Sequence, residues 1–175
     1  MNLKNTNIVL NDFARVVMES YKEALKKDNR VASGNLINSL DFKVDSTDYS
    51  LIVTLYLADY WEEIEFGRKK TENDGPGEVR VKIADWITQK GIQPKADANG
   101  KIPTPKQLLF LIARKIHEKG FDGGLQKNGK GYLEGVLEKL TPKYLKLIEA
   151  ALKKDADIEF FDNMDKYLKR GLEGI

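Results

Sequence analysis

Apolar residues near the start of the chain recur every three or four positions, a spacing that predicts an amphipathic helix over residues 7–27. Residues 28–38 break this pattern. From Leu40 the period changes to two, and a second alternating run covers residues 49–57 after a polar turn at 46–48. The two runs predict a β-hairpin. Because its second strand is apolar on both faces, we expect that strand to be central in a sheet or covered by a partner.

Helical spacing returns after the hairpin. Residues 58–66 predict a short helix that ends at Gly67, and residues 68–78 form a polar loop. A second amphipathic helix is predicted over residues 79–90, with Gly91 beyond its end. Its inward residues are expected to be Val79, Ile83, Trp86 and Ile87.

The last third of the chain carries a strong helix-start signal. A capping box is predicted here, with Thr104 as the N-cap, Pro105 at the first helical position and Gln107 at the third. This helix is expected to end at Gly120. Its inward residues are expected to be Leu108, Leu109, Ile112 and Ile116. After a glycine-rich loop, residues 132–175 read as helical, with a second start at Thr141–Pro142.

These elements predict an α+β fold. A long N-terminal amphipathic helix packs on a small antiparallel β-sheet and is followed by further helices and flexible charged loops. We expect residues 1–121 to form the core. Residues 122–175 are expected to form a glycine-rich loop and a helical C-terminal extension that serves as a docking region.

The composition of the chain excludes several classes of function. The 175 residues are 41% hydrophobic and 32% charged, which is typical of one globular domain. Without cysteine the chain has no disulfide, thiolate metal site or thiol nucleophile, and a single histidine removes most zinc sites and histidine acid–base schemes. No apolar run is long enough to span a membrane, and the first residues lack an apolar signal core. The expected place of synthesis and assembly is a cytoplasm.

The sharpest chemical motif is GLQKNGKG at residues 124–131, which nearly matches a phosphate-binding loop. Gly131 stands where that loop needs a hydroxyl, and the motif follows a predicted helix rather than a buried strand. A flexible basic loop is therefore favoured over a nucleotide site.

Other candidate catalytic and metal-binding residues lack partners. His117 is expected on a solvated helix face, and Asp74 and Glu78 supply too few oxygens for calcium. Glu62 and Glu65 are three residues apart and would share a helix face, but no orienting residue accompanies them. We therefore expect no enzymatic activity and no cofactor.

Two charged regions leave alternatives open. Residues 155–165 are acidic and aromatic, and predict either a docking segment that uses Phe160 and Phe161 or a helix with Ile158, Phe161, Met164 and Leu168 packed inward. Residues 101–130 hold seven Lys or Arg against Glu118 and Asp122. Such a cluster is either a solvated surface or the lining of a DNA channel, with Lys127 and Lys130 as candidates to face the DNA.

Three features taken in order resemble a known family. An N-terminal amphipathic helix precedes SGNLINSL at residues 33–40, and the second strand leads into YWEEIEFG at residues 60–67. This order is similar to the tail-completion, or head–tail joining, neck proteins of tailed bacteriophages. The segments WITQKGI (86–92) and LLFLIARKIHEKGF (108–121) resemble the versions found in phages of Bacteroidetes.

The resemblance covers about residues 8–121. Family members often carry a proline-rich aromatic segment soon after the final glycine. Here GGLQKNGKG occupies that place, and Phe160 and Phe161 follow much later.

The resemblance implies a structural virion protein of the phage neck or tail, assembled in the host cytoplasm. It implies a homo-oligomeric ring of six or twelve copies that joins the portal or head to the tail and contacts other virion proteins. DNA would pass through the lumen without sequence-specific contacts, and no membrane is involved. The alternative is a DNA-binding or packaging accessory protein that uses the basic loops.

The resemblance also implies roles for particular residues. Gly34 and Gly67 would be backbone hinges at positive φ. The expected interface between copies has aromatic and charged members. The aromatic members are Tyr60, Trp61 and Phe66. The charged members are Glu62, Glu63 and Glu65, facing Arg68, Lys69 and Lys70 of the next subunit.

Overall fold

The structure is a computed structural model that describes residues 3–31, 33–47, 50–71, 77–121, 123 and 130–173. Its helices are α1 (Lys4–Lys27), α2 (Asn35–Ser39), α3 (Trp61–Phe66), α4 (Gly77–Gln89), α5 (Pro105–Lys119) and α6 (Tyr132–Glu173). Its strands are β1 (Asp41–Ser46) and β2 (Leu51–Tyr56). The predicted α+β fold class, with a long N-terminal helix and a small antiparallel sheet, is confirmed.

The chain divides into two compact units. Unit 1 holds Met1–Lys22, Leu40–Tyr56 and Leu133–Ile175, and unit 2 holds Glu23–Ser39 and Leu57–Tyr132. Almost all of α6 groups with the N-terminal helix and the hairpin. The expected boundary after residue 121 stays a prediction.

Unit 1 contains an antiparallel pair made by α1 and α6. The Tyr144 ring on α6 lies 4.9 Å from the Phe13 ring on α1, and the Tyr144 hydroxyl donates a 2.6 Å hydrogen bond to Asp12. The buried side chains of this unit are Leu3, Thr6, Leu10, Ala14, Val17, Met18, Tyr21, Tyr144, Ala151 and Asp155. The predicted amphipathic stripe of α1 therefore exists, although Ile8 near the start of the helix is 61% exposed.

Asp155 explains why α1 begins at Lys4, three residues before the predicted start. The carboxylate accepts hydrogen bonds from the Asn5 backbone (3.0 Å), the Asn5 side chain (2.6 Å), the Thr6 backbone (2.8 Å) and the Thr6 hydroxyl (2.8 Å). The first-turn N–H groups of a helix have no partner within the helix. A carboxylate from α6, distant in sequence, therefore caps α1 and also faces the positive end of its dipole.

Helix α6 continues through Pro142, so the predicted second start at Thr141–Pro142 is wrong. Proline inside a helix removes one backbone hydrogen bond and normally favours a break. Here contacts of Tyr144, two residues later, hold the helix against α1, and such tertiary packing overrides the local preference.

The hairpin in unit 1 forms as predicted, with Asp41 paired to Tyr56 and Ser46 paired to Leu51. Within the described residues the sheet has two strands, so the expectation that β2 is central in a larger sheet is wrong. One face of β2 carries Ile52 and Tyr56, which are 50% and 49% exposed. Coverage by a partner stays a prediction. Tyr49, placed in the second strand, lies outside the described residues.

Unit 2 contains α4, which packs against α5. The predicted capping box of α5 is confirmed, because the Gln107 backbone donates to the Thr104 hydroxyl (3.3 Å) and the Thr104 backbone donates to the Gln107 side chain (2.8 Å). The helix ends at Gly120, as predicted. Ala113 is its buried residue, and the four residues predicted to face inward are half-buried.

The short helix α2 was not predicted. Its start is marked by the Ser33 hydroxyl, which accepts a hydrogen bond from the Asn35 backbone at 3.2 Å. Gly34 next to it has a φ of +81°, in the left-handed region expected for this glycine. Five residues are too few for a periodic pattern to reveal a helix.

Candidate functional site

Three of the segments that carry the family resemblance, at residues 33–39, 60–67 and 108–121, lie in unit 2, whereas the N-terminal helix and the second strand lie mainly in unit 1. We define the motif junction as residues 33–36, 60–71, 117–121 and 123. Tyr60 joins the first two segments, since its phenol is hydrogen-bonded with the Leu36 backbone and the Ser33 side chain. Burial raises the pKa of Tyr60, and these two hydrogen bonds only partly offset that effect. The Tyr60 hydroxyl is therefore a structural anchor of the junction.

Backbone pairing joins the second and third segments. Arg68 and Phe121 exchange two N–H···O hydrogen bonds of 2.9 Å, and the Thr71 N–H donates to the His117 carbonyl at 2.9 Å. Two glycines allow this close approach. A Cβ atom at Gly120 would collide with the Arg68 carbonyl oxygen, and one at Gly123 would collide with the Gly67 nitrogen. Neither glycine was singled out for this reason, because its partner is more than fifty residues away.

Glu65 is buried in the junction. Only 1% of this residue is exposed, and its carboxylate lies against Gly131, where an added Cβ would collide with it. This corrects one expectation, because the buried Glu65 does not present its carboxylate to another copy of the chain. Glu62 and Glu65 are both on α3, three residues apart as expected, but Glu62 is exposed.

The other predicted interface residues divide between the inside and the outside of unit 2. Tyr60, Trp61, Glu63 and Arg68 are half-buried, whereas Glu62, Lys69 and Lys70 are exposed. Phe66 is 53% exposed, and its ring lies edge-on to the Trp61 ring with 6.1 Å between centroids. The outer surface that remains for a partner is Glu62, Phe66, Lys69 and Lys70.

Gly67 ends α3 with a φ of +78°, as expected for a residue without Cβ. The Arg68 side chain turns back to the Thr71 hydroxyl at 3.5 Å. The turn after α3 is therefore stabilised by residues of the same segment, through the positive φ of Gly67 and the Arg68–Thr71 hydrogen bond.

The glycine-rich loop is described only in part. Lys127, Gly124 and Gly129 lie outside the described residues, as does Asp74, and the side chain of Glu78 does too. Lys130 is half-buried. The loop is anchored before and after this gap: Arg30 donates to the Gly123 carbonyl at 3.1 Å, and the Tyr132 hydroxyl donates to Asp28 at 2.8 Å. Burial and this hydrogen bond raise the pKa of Tyr132.

The acidic segment 155–165 is helical, as one of our two alternatives held, but its apolar residues do not pack inward. Phe160 and Phe161 are 61% and 66% exposed, and their rings meet edge-to-face at 5.7 Å. Ile158, Met164, Tyr167 and Leu168 are also exposed, at 48%, 46%, 73% and 60%. The docking role of Phe160 and Phe161 therefore stays a prediction, now for side chains on the outside of a helix.

Asp155 is the member of this segment that is buried, at 2% exposure. Burial opposes its ionisation, yet the hydrogen bonds from Asn5 and Thr6 outweigh burial and lower the pKa of Asp155 to about 2. Its charge is used to cap α1 and is not displayed to a partner.

A second exposed surface, which the sequence did not single out, lies on α5. Phe110 is 43% exposed and Leu111 is 54% exposed. The half-buried Leu109, Ile112 and Ile116 define the inner side of the helix, and 100° per residue places Phe110 and Leu111 on the outer side. The helical spacing of the inner residues was the sequence signal that could have revealed this outer surface.

In the described part of the chain, no group of three or more potential ligands could hold a metal ion. No described helix is both long enough and apolar enough to cross a membrane. Comparison of the chain with models of protein families, with curated proteins and with solved structures found no match.

Proposed function

We propose that this chain is a structural virion protein of a tailed bacteriophage, forming a ring in the neck or tail that joins the portal or head to the tail. The main support is the exposed apolar surface on the last turns of α6. Phe160, Phe161, Met164, Tyr167 and Leu168 are each between 46% and 73% exposed. Contiguous apolar patches of this kind usually mark protein–protein contacts.

The motif junction supports a structural role for the segments that carry the resemblance. Its members meet through backbone pairing, close glycine contacts and a buried phenol. The junction thus fixes the shape of unit 2. In the proposed ring, that shape would place Glu62, Phe66, Lys69 and Lys70 at the boundary with a neighbouring copy.

Oligomer size is the direct test. We expect the purified full chain, alone or mixed with the portal ring, to give a closed ring of six or twelve copies. Light scattering after size exclusion would measure its mass, and electron microscopy would reveal its shape. A chain that stays monomeric in both preparations, and is absent from the neck of purified particles, would refute the proposal.

The second candidate is a DNA-binding or packaging accessory protein. Its support is the exposed cations Lys106, Lys115 and Lys119 on α5. Phosphate contacts make DNA affinity fall steeply with salt. A monomer that binds duplex DNA in an anisotropy titration, with a steep decrease in affinity between low and moderate salt, would favour this candidate over the ring.

A further inference from the structure

The second strand of the hairpin has an open edge. The Thr47 N–H donates to the Ser50 carbonyl at 2.8 Å, so these two residues form the hydrogen-bonded pair that closes the turn. Hydrogen-bonded and non-hydrogen-bonded pairs alternate along an antiparallel ladder. The N–H and C=O groups of Leu51, Val53 and Leu55 therefore point away from β1. No described residue is hydrogen-bonded to these outward groups, so they form a row that a further strand can use.

The two edges of the hairpin differ in charge. Strand β1 carries Asp41, Lys43 and Asp45, and charged side chains on an edge strand discourage pairing with another chain. Strand β2 reads LIVTLY and contains no charge, proline or glycine. Its exposed side chains are apolar, since Ile52 is 50% exposed and Tyr56 is 49% exposed. Of the two edges, β2 is therefore the one suited to pair with another strand.

Antiparallel pairing of β2 with β2 of a second copy is restricted to a few registers. Hydrogen bonds form only where an outward-pointing residue of one strand faces an outward-pointing residue of the other. Two such registers give the greatest overlap of the strands. One is centred on Val53 and places Tyr56 opposite Ser50. The other is centred on Thr54 and places Ile52 opposite Tyr56.

The register centred on Thr54 makes the better side-chain contacts. Thr54 meets Thr54 of the second copy at the two-fold axis, and Ile52 meets Tyr56 on each side of it. Threonine pairs and pairs of an aromatic with a β-branched residue are favourable across strands. In the register centred on Val53, the half-exposed Tyr56 ring would face a serine and stay open to water.

Pairing of β2 with β1 of a second copy is disfavoured. It would place Ile52 and Tyr56 beside the three charged residues of β1, since these side chains share one face of the sheet. Lys43 and Asp45 are already paired with each other at 2.8 Å. Apolar side chains would displace water from this ion pair without replacing its hydrogen bonds, which is unfavourable.

We propose that two copies of the chain pair through β2 in the register centred on Thr54. The product is an antiparallel sheet of four strands in the order β1–β2–β2–β1, with the charged strands at its outer edges. Addition of a strand to an open sheet edge is a common mode of recognition. The pairing also explains why β2 is apolar on both faces, a pattern typical of a central strand.

This contact is separate from the proposed ring. It is isologous and closes with two copies, whereas a ring needs a heterologous contact that repeats. The contact is also narrow, because it consists of one pair of short strands. Interfaces that bury less than about 1,200 Å² in total are typical of transient complexes. We therefore expect a dimer that forms with increasing protein concentration.

Cysteine cross-linking tests the pairing, because the natural chain has no cysteine. In the proposed register Thr54 faces its own copy in a non-hydrogen-bonded pair, where Cα atoms are about 4.5 Å apart and a disulfide can form. We expect full-length Thr54→Cys to give a covalent dimer under mild oxidation. Lys43→Cys is the matched control, since Lys43 lies directly opposite Thr54 in the hairpin but on the other edge. It should give little dimer.

The other outcomes of cross-linking overturn the proposal. Equal yields from the two variants would mean that chance collision or pairing of β1 explains the link. A dimer from Ile52→Cys mixed with Thr54→Cys, with none from Thr54→Cys alone, would assign the register centred on Val53. No dimer from any variant would reject the pairing and leave a ring seen by electron microscopy intact, whereas Thr54→Cys dimers without rings would support the pairing and reject the ring.

A charge at the two-fold axis gives a second test that preserves the hairpin. In Thr54→Glu the new carboxylate faces Lys43 within its own chain, which is favourable, but faces another glutamate in the dimer. We expect the dimer dissociation constant from sedimentation equilibrium to rise about fivefold. Thr54→Gln is the control of equal size without charge. Equal dissociation constants for these two variants, both with normal circular dichroism, would overturn the assignment.

Discussion

Replacing Asp155 by asparagine should destabilise the chain by about 2 kcal/mol at neutral pH. The pKa of Asp155 falls from 3.8 to about 2 on folding. Each pKa unit corresponds to about 1.4 kcal/mol, and the residue is almost fully buried, so little of this free energy is lost to solvent screening. Asparagine keeps the size of the side chain but removes the charge and places an N–H₂ group among the Asn5 and Thr6 donors.

The pH dependence of this difference is the sharper part of the prediction. Because the folded pKa lies below the unfolded one, the unfolded state binds more protons between the two values, and the stabilisation is complete about one pH unit above the unfolded pKa of 3.8. It is lost as the pH falls through about 2. The free-energy difference between wild type and Asp155→Asn should therefore be constant from neutral pH to about pH 5 and then decrease.

Urea unfolding followed by far-ultraviolet circular dichroism, at a series of pH values, measures this difference directly. The lowered pKa of Asp12 affects both proteins equally and cancels in the comparison. Asp157→Asn is the matched control, because Asp157 is exposed two residues away on the same helix. A loss below about 0.5 kcal/mol for Asp155→Asn, or a loss that does not change with pH, would refute the reasoning. A charged capping network of this kind must stabilise the fold and must lose that stabilisation when the carboxylate is protonated.

Three further substitutions test other parts of the fold by the same unfolding measurement. Gly120→Ala should cost about 1–3 kcal/mol more than Gly91→Ala, because both glycines have positive φ but only Gly120 abuts another backbone; equal losses would contradict the close approach. Tyr144→Phe should cost about 1 kcal/mol through the hydrogen bond to Asp12, and no loss would mean that this bond is replaced by water. Thr104→Ala should cost about 1 kcal/mol at the start of α5, with Thr104→Ser as a near-neutral control.

Local signals in the sequence predicted the elements that depend on neighbouring residues. The capping box at Thr104, the helix end at Gly120 and the turn at Gly67 are each determined within a few residues. The alternation of the hairpin likewise needs only the two strands and their turn. For these elements the deciding hydrogen bonds are short-range, so the pattern alone was sufficient.

The features that were predicted wrongly depend on distant residues. Helix α1 starts early because Asp155, 149 residues after Thr6, supplies its cap. The burial of Glu65 involves close contact with Gly131. The continuity of α6 through Pro142 depends on packing between Tyr144 and Phe13. A periodic pattern gives the face of a helix but not the element that covers it. For the same reason, the exposed apolar end of α6 could not be told from a packed helix.

Partner contacts were expected at residues 60–70 and 155–165. The acidic residues of these two segments differ in exposure. Glu65 and Asp155 are buried and bind their own chain, whereas Glu62 and Asp162 are exposed. The aromatic residues show the reverse trend, because Phe66, Phe160 and Phe161 are more than half exposed. The surfaces offered to partners are thus less acidic and more apolar than the sequence indicated. Since affinity in protein interfaces is concentrated in a few central aromatic side chains, with charges at the rim, truncating Phe161 should weaken assembly more than reversing any single charge.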